Sequence, residues 1–413
     1  KVSWLLWYWF AVILLVVSQN GGIVGGVGEA LAIARPLTEE GAHYNQVQDQ
    51  LVQAKVDLAV AARAGAGGSP AAAALSLRVD ALTAQVTTLS EPVDILLWAA
   101  VVAVLTSIFM YYGRYQLIQV VSTSLVAIFT LVTVVVVILL QSTPWKITPQ
   151  EFMSGLQFHI PPTRSGGTAN GISTALATFG MIGLAAGELI MYPYWCMEKG
   201  YARWTGPRDD SPEWAQRARG WMRVLRYDVW LSMVVYTFAT VAFYMLGAGV
   251  LSRTDLNPTD GQAMIRTLSQ MYVPVFGRWA EGGFLIGAFA ILYSTFFVFA
   301  AGFARIITDA LVLLGLIEST EEVRVVWVRR LGVLLPILAL IAFAFVRAPV
   351  AMVLASGLGQ AIMMPMLGAV AVYFRYRRID ERLKPGAVWD LFLWLSFIGM
   401  FLIGAWSLYN AIV

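Results

Sequence analysis

Cysteine occurs once in this 413-residue chain, at Cys196, and histidine only twice, at His43 and His159. A single thiol excludes an intrachain disulfide and a zinc cluster built on thiolates. Both histidines fall outside the apolar segments, which argues against a His-rich metal centre inside them. Charge is scarce too. Asp, Glu, Lys and Arg make up 13% of the residues, about half the roughly 25% of a soluble domain. Such a chain has too little polar surface to coat a water-facing globule. It also shows no nucleophile–base set and no nucleotide-binding loop, so neither an enzyme, nor a cofactor, nor a nucleic-acid partner is expected.

What the chain has in abundance is apolar. It is 59% hydrophobic with a mean hydropathy of +0.70, the composition of a polytopic membrane protein. A spanning helix needs about 20 apolar residues at roughly 1.5 Å rise each. Nine segments qualify, near 4–31, 94–117, 120–141, 171–197, 228–251, 281–314, 331–347, 350–374 and 389–411. The sixth is long enough to tilt or to run on into the cytosol. Only Arg347-Ala348-Pro349 separates the seventh from the eighth, and proline there ends the helix at a sharp turn. The chain opens at Lys1 and enters its first apolar run within three residues. That run is too long for a signal-peptide core, so further natural sequence is expected upstream.

Orientation follows from Lys and Arg. Residues 199–226 carry Lys199, Arg203, Arg208, Arg217, Arg219, Arg223 and Arg226. Arg305, Arg324, Arg329 and Arg330 follow the sixth span, and Arg375, Arg377, Arg378, Arg382 and Lys384 follow the eighth. Arg114 sits in the turn between the second and third. These connections alternate with poorer ones at 142–170, 252–280 and 347–349. The alternation places the basic connections and the amino end in the cytosol and the carboxyl end outside, in the cell's inner (plasma) membrane.

Residues 1–34 then form a first span, 35–93 an outer insert and 94–413 a core of eight spans. In the insert, Val47, Leu51, Ala54, Leu58 and Ala61 step by four and three, as do Leu75, Val79, Leu82, Val86 and Leu89. Gly65-Ala66-Gly67-Gly68-Ser69-Pro70 between them is a turn followed by a helix start. The pattern predicts an antiparallel helical hairpin with a coiled-coil seam. It is either a packing ornament on the outer face or an arm for a protein partner or oligomer contact.

The fourth span carries the chemistry. Gly180, Gly183, Gly187 and Pro193 interrupt it, and Glu188 lies among them. Glycine and proline weaken the helix midway. An unwound stretch frees carbonyls that a cation can satisfy inside the bilayer. A lone carboxylate at this depth is costly unless it faces a cavity, a partner or an ion. Oxygen donors suit hard divalent cations, and a thioether such as Met191 adds preference for softer ones. The same features also serve plainer ends: a packing kink, a structural carboxylate, a core methionine. Elsewhere, Asn20 sits in the glycine-rich first span, where small residues permit close packing. Asp228 beside Arg226 suggests an interfacial ion pair. Ser294, Thr295, Ser356, Gln360 and Met363 are weaker candidates for lining a path.

The stretch Gly187-Glu-Leu-Ile-Met191-Tyr-Pro193-Tyr-Trp-Cys-Met-Glu-Lys-Gly200 resembles the broken sixth span of the natural-resistance-associated macrophage protein (Nramp) family of divalent metal transporters. Tyr293-Ser294-Thr295 through Ala301-Gly302 is similar to that family's eighth span, and Ser356 through Met364-Pro365 to its tenth. The resemblance implies a divergent bacterial branch and an inverted-repeat, LeuT-like fold of the APC superfamily. It implies alternating access around a midplane metal. It also implies that two spans, including one with an Asp-Pro-Gly-Asn metal motif, precede Lys1. Aligning Met191 with the family methionine puts Glu188 on a family alanine. Aligning Pro193 with the family proline puts Tyr192 at the methionine's place. Asn20 and Ile23 stand where the family has acids that take part in proton movement. The expectation is a divalent metal transporter, for manganese or iron if Met191 coordinates and magnesium if it does not, with weak proton coupling. Glu188, Gly187, Met191 and Tyr192 are its candidate metal residues. An organic solute such as an amino acid, or a receptor or scaffold role, are the alternatives.

Overall fold

The structure, a computed structural model, describes residues 4–65, 67–112, 115–157, 171–181, 185–253, 264–277 and 279–412. Arg114, His159 and Gly183 lie outside the described residues. Within them the chain is almost entirely helical, with no strand. In order come α1 (Trp4–Ala34), α2 (Glu39–Arg63), α3 (Pro70–Thr88), α4 (Asp94–Tyr112), α5 (Tyr115–Leu140), α6 (Pro149–Gly155), α7 (Gly171–Met181) and α8 (Ala186–Glu198). Then follow α9 (Pro212–Gly249), α10 (Met264–Ser269), α11 (Val273–Phe276), α12 (Ala280–Leu313), α13 (Glu321–Val346), α14 (Pro349–Arg377) and α15 (Ala387–Ile412).

Among the described residues seven helices are long and apolar enough to cross a membrane: α1 over Ile13–Ala34, α4, α9, α12, α13, α14 and α15. Two of the nine expected crossings are not among them. α5 runs 26 residues, Tyr115–Leu140, and its described residues form an apolar helix over Val126–Leu140. Of the segment 171–197 the described residues form α7, Gly171–Met181, and α8, Ala186–Glu198, with a non-helical Ala185 ahead of α8.

α12 is the central post. Its 34 residues reach about 50 Å at roughly 1.5 Å each, longer than the ~30 Å hydrocarbon core. Phe296, Phe297, Phe299 and Phe303 are buried along it, with Ala300, Ala301 and Gly302 between them. α1 packs against α4, α12, α13 and α14. A side chain on Gly22 would run into the Pro349 carbonyl, and one on Gly28 into the Ile95 carbonyl. The glycines of α1 therefore let its backbone touch two neighbours directly, where lipid offers no hydrophobic drive for helix association. At the turn after α13, Arg347 takes a left-handed conformation, φ 48°. Pro349 then opens α14 in its first turn, where its missing N–H leaves nothing unsatisfied.

The insert folds as two helices, with Thr38 and Ser69 capping α2 and α3 by accepting the N–H of Gly41 and Ala72. Val47, Leu51 and Ala54 pack on Leu82, with Val79, Val86 and Leu89 alongside. A second stripe of α2, Val52, Val56 and Ala59, joins a different apolar cluster with Ile265, Met271 and Tyr272. Arg266 of α10 pairs with Asp49 and donates to the Asn45 Oδ1 at 2.9 Å. Burial pushes the Arg266 pKa down, against the opposing pull of Glu29. Buried Asp94, at the start of α4, accepts the Leu37 N–H at 2.8 Å and the Thr38 hydroxyl at 2.6 Å. These bonds fix where the insert leaves the membrane.

Candidate functional site

α8 starts at Ala186 directly after a non-helical residue, so the fourth span is interrupted at Ala185. Ala185 is extended, φ −61° and ψ 159°. The break lies ahead of the Gly187–Pro193 stretch, and α8 continues through Pro193, which sits on its exposed side. Proline forfeits one helical hydrogen bond, yet here it does not end the helix.

Glu188 occupies the third position of α8 and reaches back to accept the Ala185 N–H at 2.7 Å. One of its oxygens thus satisfies a donor that the helix start would otherwise strand. Beside it, the Gly187 N–H donates to Gln360 Oε1 of α14 at 3.1 Å. The Gln360 amide in turn donates to Gln19 Oε1 of α1 at 2.7 Å, and the same oxygen accepts the Ser356 hydroxyl at 2.9 Å. Gly187, Gln360, Gln19 and Ser356 are buried, and Glu188 is half-buried. A hydrogen-bonded chain therefore runs from α1 through α14 to the first turn of α8. Such a network is rigid when complete and costly when cut. Close packing brings α7 to α14 as well, since a side chain on Gly180 would overlap the Gly357 carbonyl. Next to Gln19, Asn20 is 2% exposed and its Oδ1 has no partner among the described residues.

The other candidates lie apart from this chain. Met191 is 2% exposed and its sulfur abuts Gly302 of α12, in an apolar cluster with Phe299, Phe303 and Met363. Both methionines therefore pack. The Tyr192 hydroxyl donates to Asp228 of α9 at 2.9 Å. Asp228 was expected to pair with Arg226, but Arg226 turns its Nε back to the Met222 carbonyl. Ser294 and Thr295 both donate to the Ile291 carbonyl of their own helix, at 2.9 and 2.8 Å, a bond that binds a hydroxyl locally.

The far end of α8 carries a second set of contacts. The Tyr194 hydroxyl donates to Asp309 of α12 at 2.6 Å, and Asp309 also receives Arg324 of α13 at 3.0 Å. Glu198 pairs with Arg305 of α12, whose guanidinium lies 5.2 Å from the Trp195 ring. Gln19, Asp309 and Tyr194 had not been singled out in the sequence. A glutamine in an apolar helix was the available signal for the first. Asp309, near the end of the long sixth span, and Tyr194, one aromatic among many, offered no comparable signal.

The arrangement offers oxygen donors at a helix break, tied to a buried amide chain on one side and to a charged clasp on the other. The sequence model of a family described as natural resistance-associated macrophage protein-like matches residues 71–410, from α3 into α15. No curated protein matches the chain.

Proposed function

The chain belongs to the natural resistance-associated macrophage protein (Nramp) family, which moves divalent metal cations across membranes, and from that premise we propose that it carries a hard divalent cation, magnesium first and manganese next. It is a multi-pass membrane transporter and not an enzyme. In this reading the cation binds at the α7–α8 break and alternating access opens the break to each side in turn.

The observation that carries the reading is the donor chemistry at the break. Glu188 keeps a carboxylate oxygen beyond the one that accepts the Ala185 N–H, and oxygen donors of this kind favour hard cations. Met191, the one thioether proposed as a ligand, spends its sulfur on Gly302, so the case for a soft ion weakens. Neutral Asn20 and Ile23, at places where the resemblance puts acids, favour transport without obligatory proton coupling. The basic connections support a plasma-membrane topology with the amino end in the cytosol. The α2–α3 hairpin uses one apolar stripe on itself and another on the core, which favours an outer brace over a partner arm.

Glu188→Gln separates charge from structure. A glutamine oxygen can still accept the Ala185 N–H, so the start of α8 is kept while the charge is lost. We expect magnesium uptake into proteoliposomes to fall to background, with insertion and thermal stability retained. Uptake at the wild-type level by this variant removes Glu188 from the metal site.

A further inference from the structure

The cytosolic ends of α9 and α15 and the connection before α15 enclose a cavity of about 400 Å³. Arg219, Arg226, Arg382 and Lys384 line it, together with Met222 and Trp389, and no carboxylate does. Arg219, Met222 and Arg226 follow each other at helical spacing, so one face of α9 supplies them. Two of the four cations are already engaged. Arg382 is held by Asp380, and Lys384 by Glu381 at 3.1 Å. Arg219 and Arg226 have no carboxylate partner among the described residues; each turns only its Nε to a carbonyl of its own helix, Ala215 and Met222 respectively. Their remaining N–H groups are available to an anion.

The level of the cavity matters as much as its charge. Arg226 stands two residues before the expected start of the fifth span, and Trp389 at the expected start of the ninth, the depth where aromatic rings meet headgroups. Below it, Trp230 and Met233 of α9 and Phe392 of α15 are exposed and apolar. A diffuse excess of positive charge would set topology without any concave site. Here four cations converge on one hollow that opens along apolar helix surface.

We propose that this hollow binds the phosphate of an anionic phospholipid of the cytosolic leaflet, its acyl chains lying on the exposed faces of α9 and α15. Basic pockets between spans on the cytosolic side are suited to such headgroups. Free phosphate shares the recognised group but has nothing to place on the apolar faces.

The test is native mass spectrometry of the full-length chain in detergent, titrated with phosphatidylglycerol, with phosphatidylcholine and with inorganic phosphate. The wild-type chain should retain phosphatidylglycerol well above phosphatidylcholine, and phosphate should not displace it. The variant Arg219→Gln/Arg226→Gln/Lys384→Gln leaves the Arg382–Asp380 pair intact. It should weaken phosphatidylglycerol binding by about a hundredfold, at about fivefold for each cation removed. A control with equal charge loss elsewhere, Arg203→Gln/Arg330→Gln/Arg377→Gln, should bind as the wild type does. Equal loss in the control, or equal retention of both lipids, overturns the pocket. Displacement by phosphate at matching concentration overturns the lipid assignment.

Discussion

Gln360→Leu cuts the buried chain between α1, α14 and α8 at its middle. Three hydrogen bonds go: from the Gly187 N–H at 3.1 Å, to Gln19 Oε1 at 2.7 Å and to the Ser356 hydroxyl at 3.3 Å. Gln19 keeps the Ser356 donor, so its oxygen is not stranded. Gly187 is stranded: it is buried in the first turn of α8, where no backbone carbonyl lies behind it in the helix. An orphaned buried donor costs about 1–3 kcal/mol. That cost falls on the local opening of the α8 start, because that is where the unpaired group can reach water. Hydrogen exchange at the Gly187 amide should accelerate by about 5- to 150-fold, the factor equivalent to that range. Leucine fills nearly the same volume, so a cavity contributes little. The assay is hydrogen exchange with mass spectrometry on the purified chain, reading peptides over α8 against peptides over α12 as internal reference. Unchanged protection of the α8 start would show that Gly187 is held by something other than Gln360. Equal acceleration in α12 would show global loosening and would likewise refute the local argument.

Tyr194→Phe deletes the donor to Asp309 and leaves the Asp309–Arg324 pair in place. A bond of this kind contributes about 0.5–1.5 kcal/mol, so maleimide labelling of Cys196, the sole cysteine and a half-exposed one on the same helix, should rise about two- to tenfold in inside-out vesicles. Unaltered labelling means that the bond does not hold α8. A third prediction concerns pH at the proposed cytosolic face. The side chain and the N–H of Arg382 hold the Asp380 carboxyl well below the usual carboxylate range. A depressed acid contributes stability above its unfolded pKa, about 3.9, and loses it as pH falls further. The clasp that Arg382 makes to the Asp209 and Ser211 carbonyls should therefore exchange hydrogen at a constant corrected rate from pH 8 to 5. The rate should climb below about pH 4, and Asp380→Asn should show the raised rate throughout. A step near neutrality would point to a different controlling group.

Which parts of this molecule could be read in its sequence follows from what each signal encodes. Apolar runs encode crossings: among the described residues seven of the nine expected ones are helices long and apolar enough to span, and an eighth coincides with the uninterrupted α5. The break in the fourth span was legible from its density of glycine and proline. Its place was not, because Pro193 was weighed as a breaker when its side faces away from the packed interior. Partnerships were the least legible. Arg226 and Asp228 are neighbours in sequence, yet on one helix residues two apart face different ways. Asp228 instead meets Tyr192, 36 residues earlier. Met191 shows the same limit: a thioether reads alike as ligand and as filler, and only the absence of a side chain on Gly302 makes room for it as filler. Gln19, Ser356 and Gln360 were visible singly as polar residues in apolar helices, but their joining depends on how α1 crosses α14.

The two ends of α8 are held by forces of different size, and the difference sets which end yields. At its start the Gly187 and Ala185 donors are buried, and breaking either bond without a substitute costs about 1–3 kcal/mol. At its far end the ion pairs are partly exposed. Glu198 and Arg305 keep 42% and 21% of their side-chain surface in solvent, and Asp309 and Arg324 keep 33% each. Water can replace those contacts, and pairs of this kind contribute about 0–1 kcal/mol. A motion of α8 that carries a cation to the cytosol would therefore part the Tyr194–Asp309 and Glu198–Arg305 contacts first and pivot at Ala185–Gly187. In that motion Glu188 stays beside the hinge, since its bond to Ala185 closes on the same turn and is not stretched by rotation of the helix beyond it. In the proposed reading, a cation held by Glu188 would then keep its carboxylate while the path below it opens.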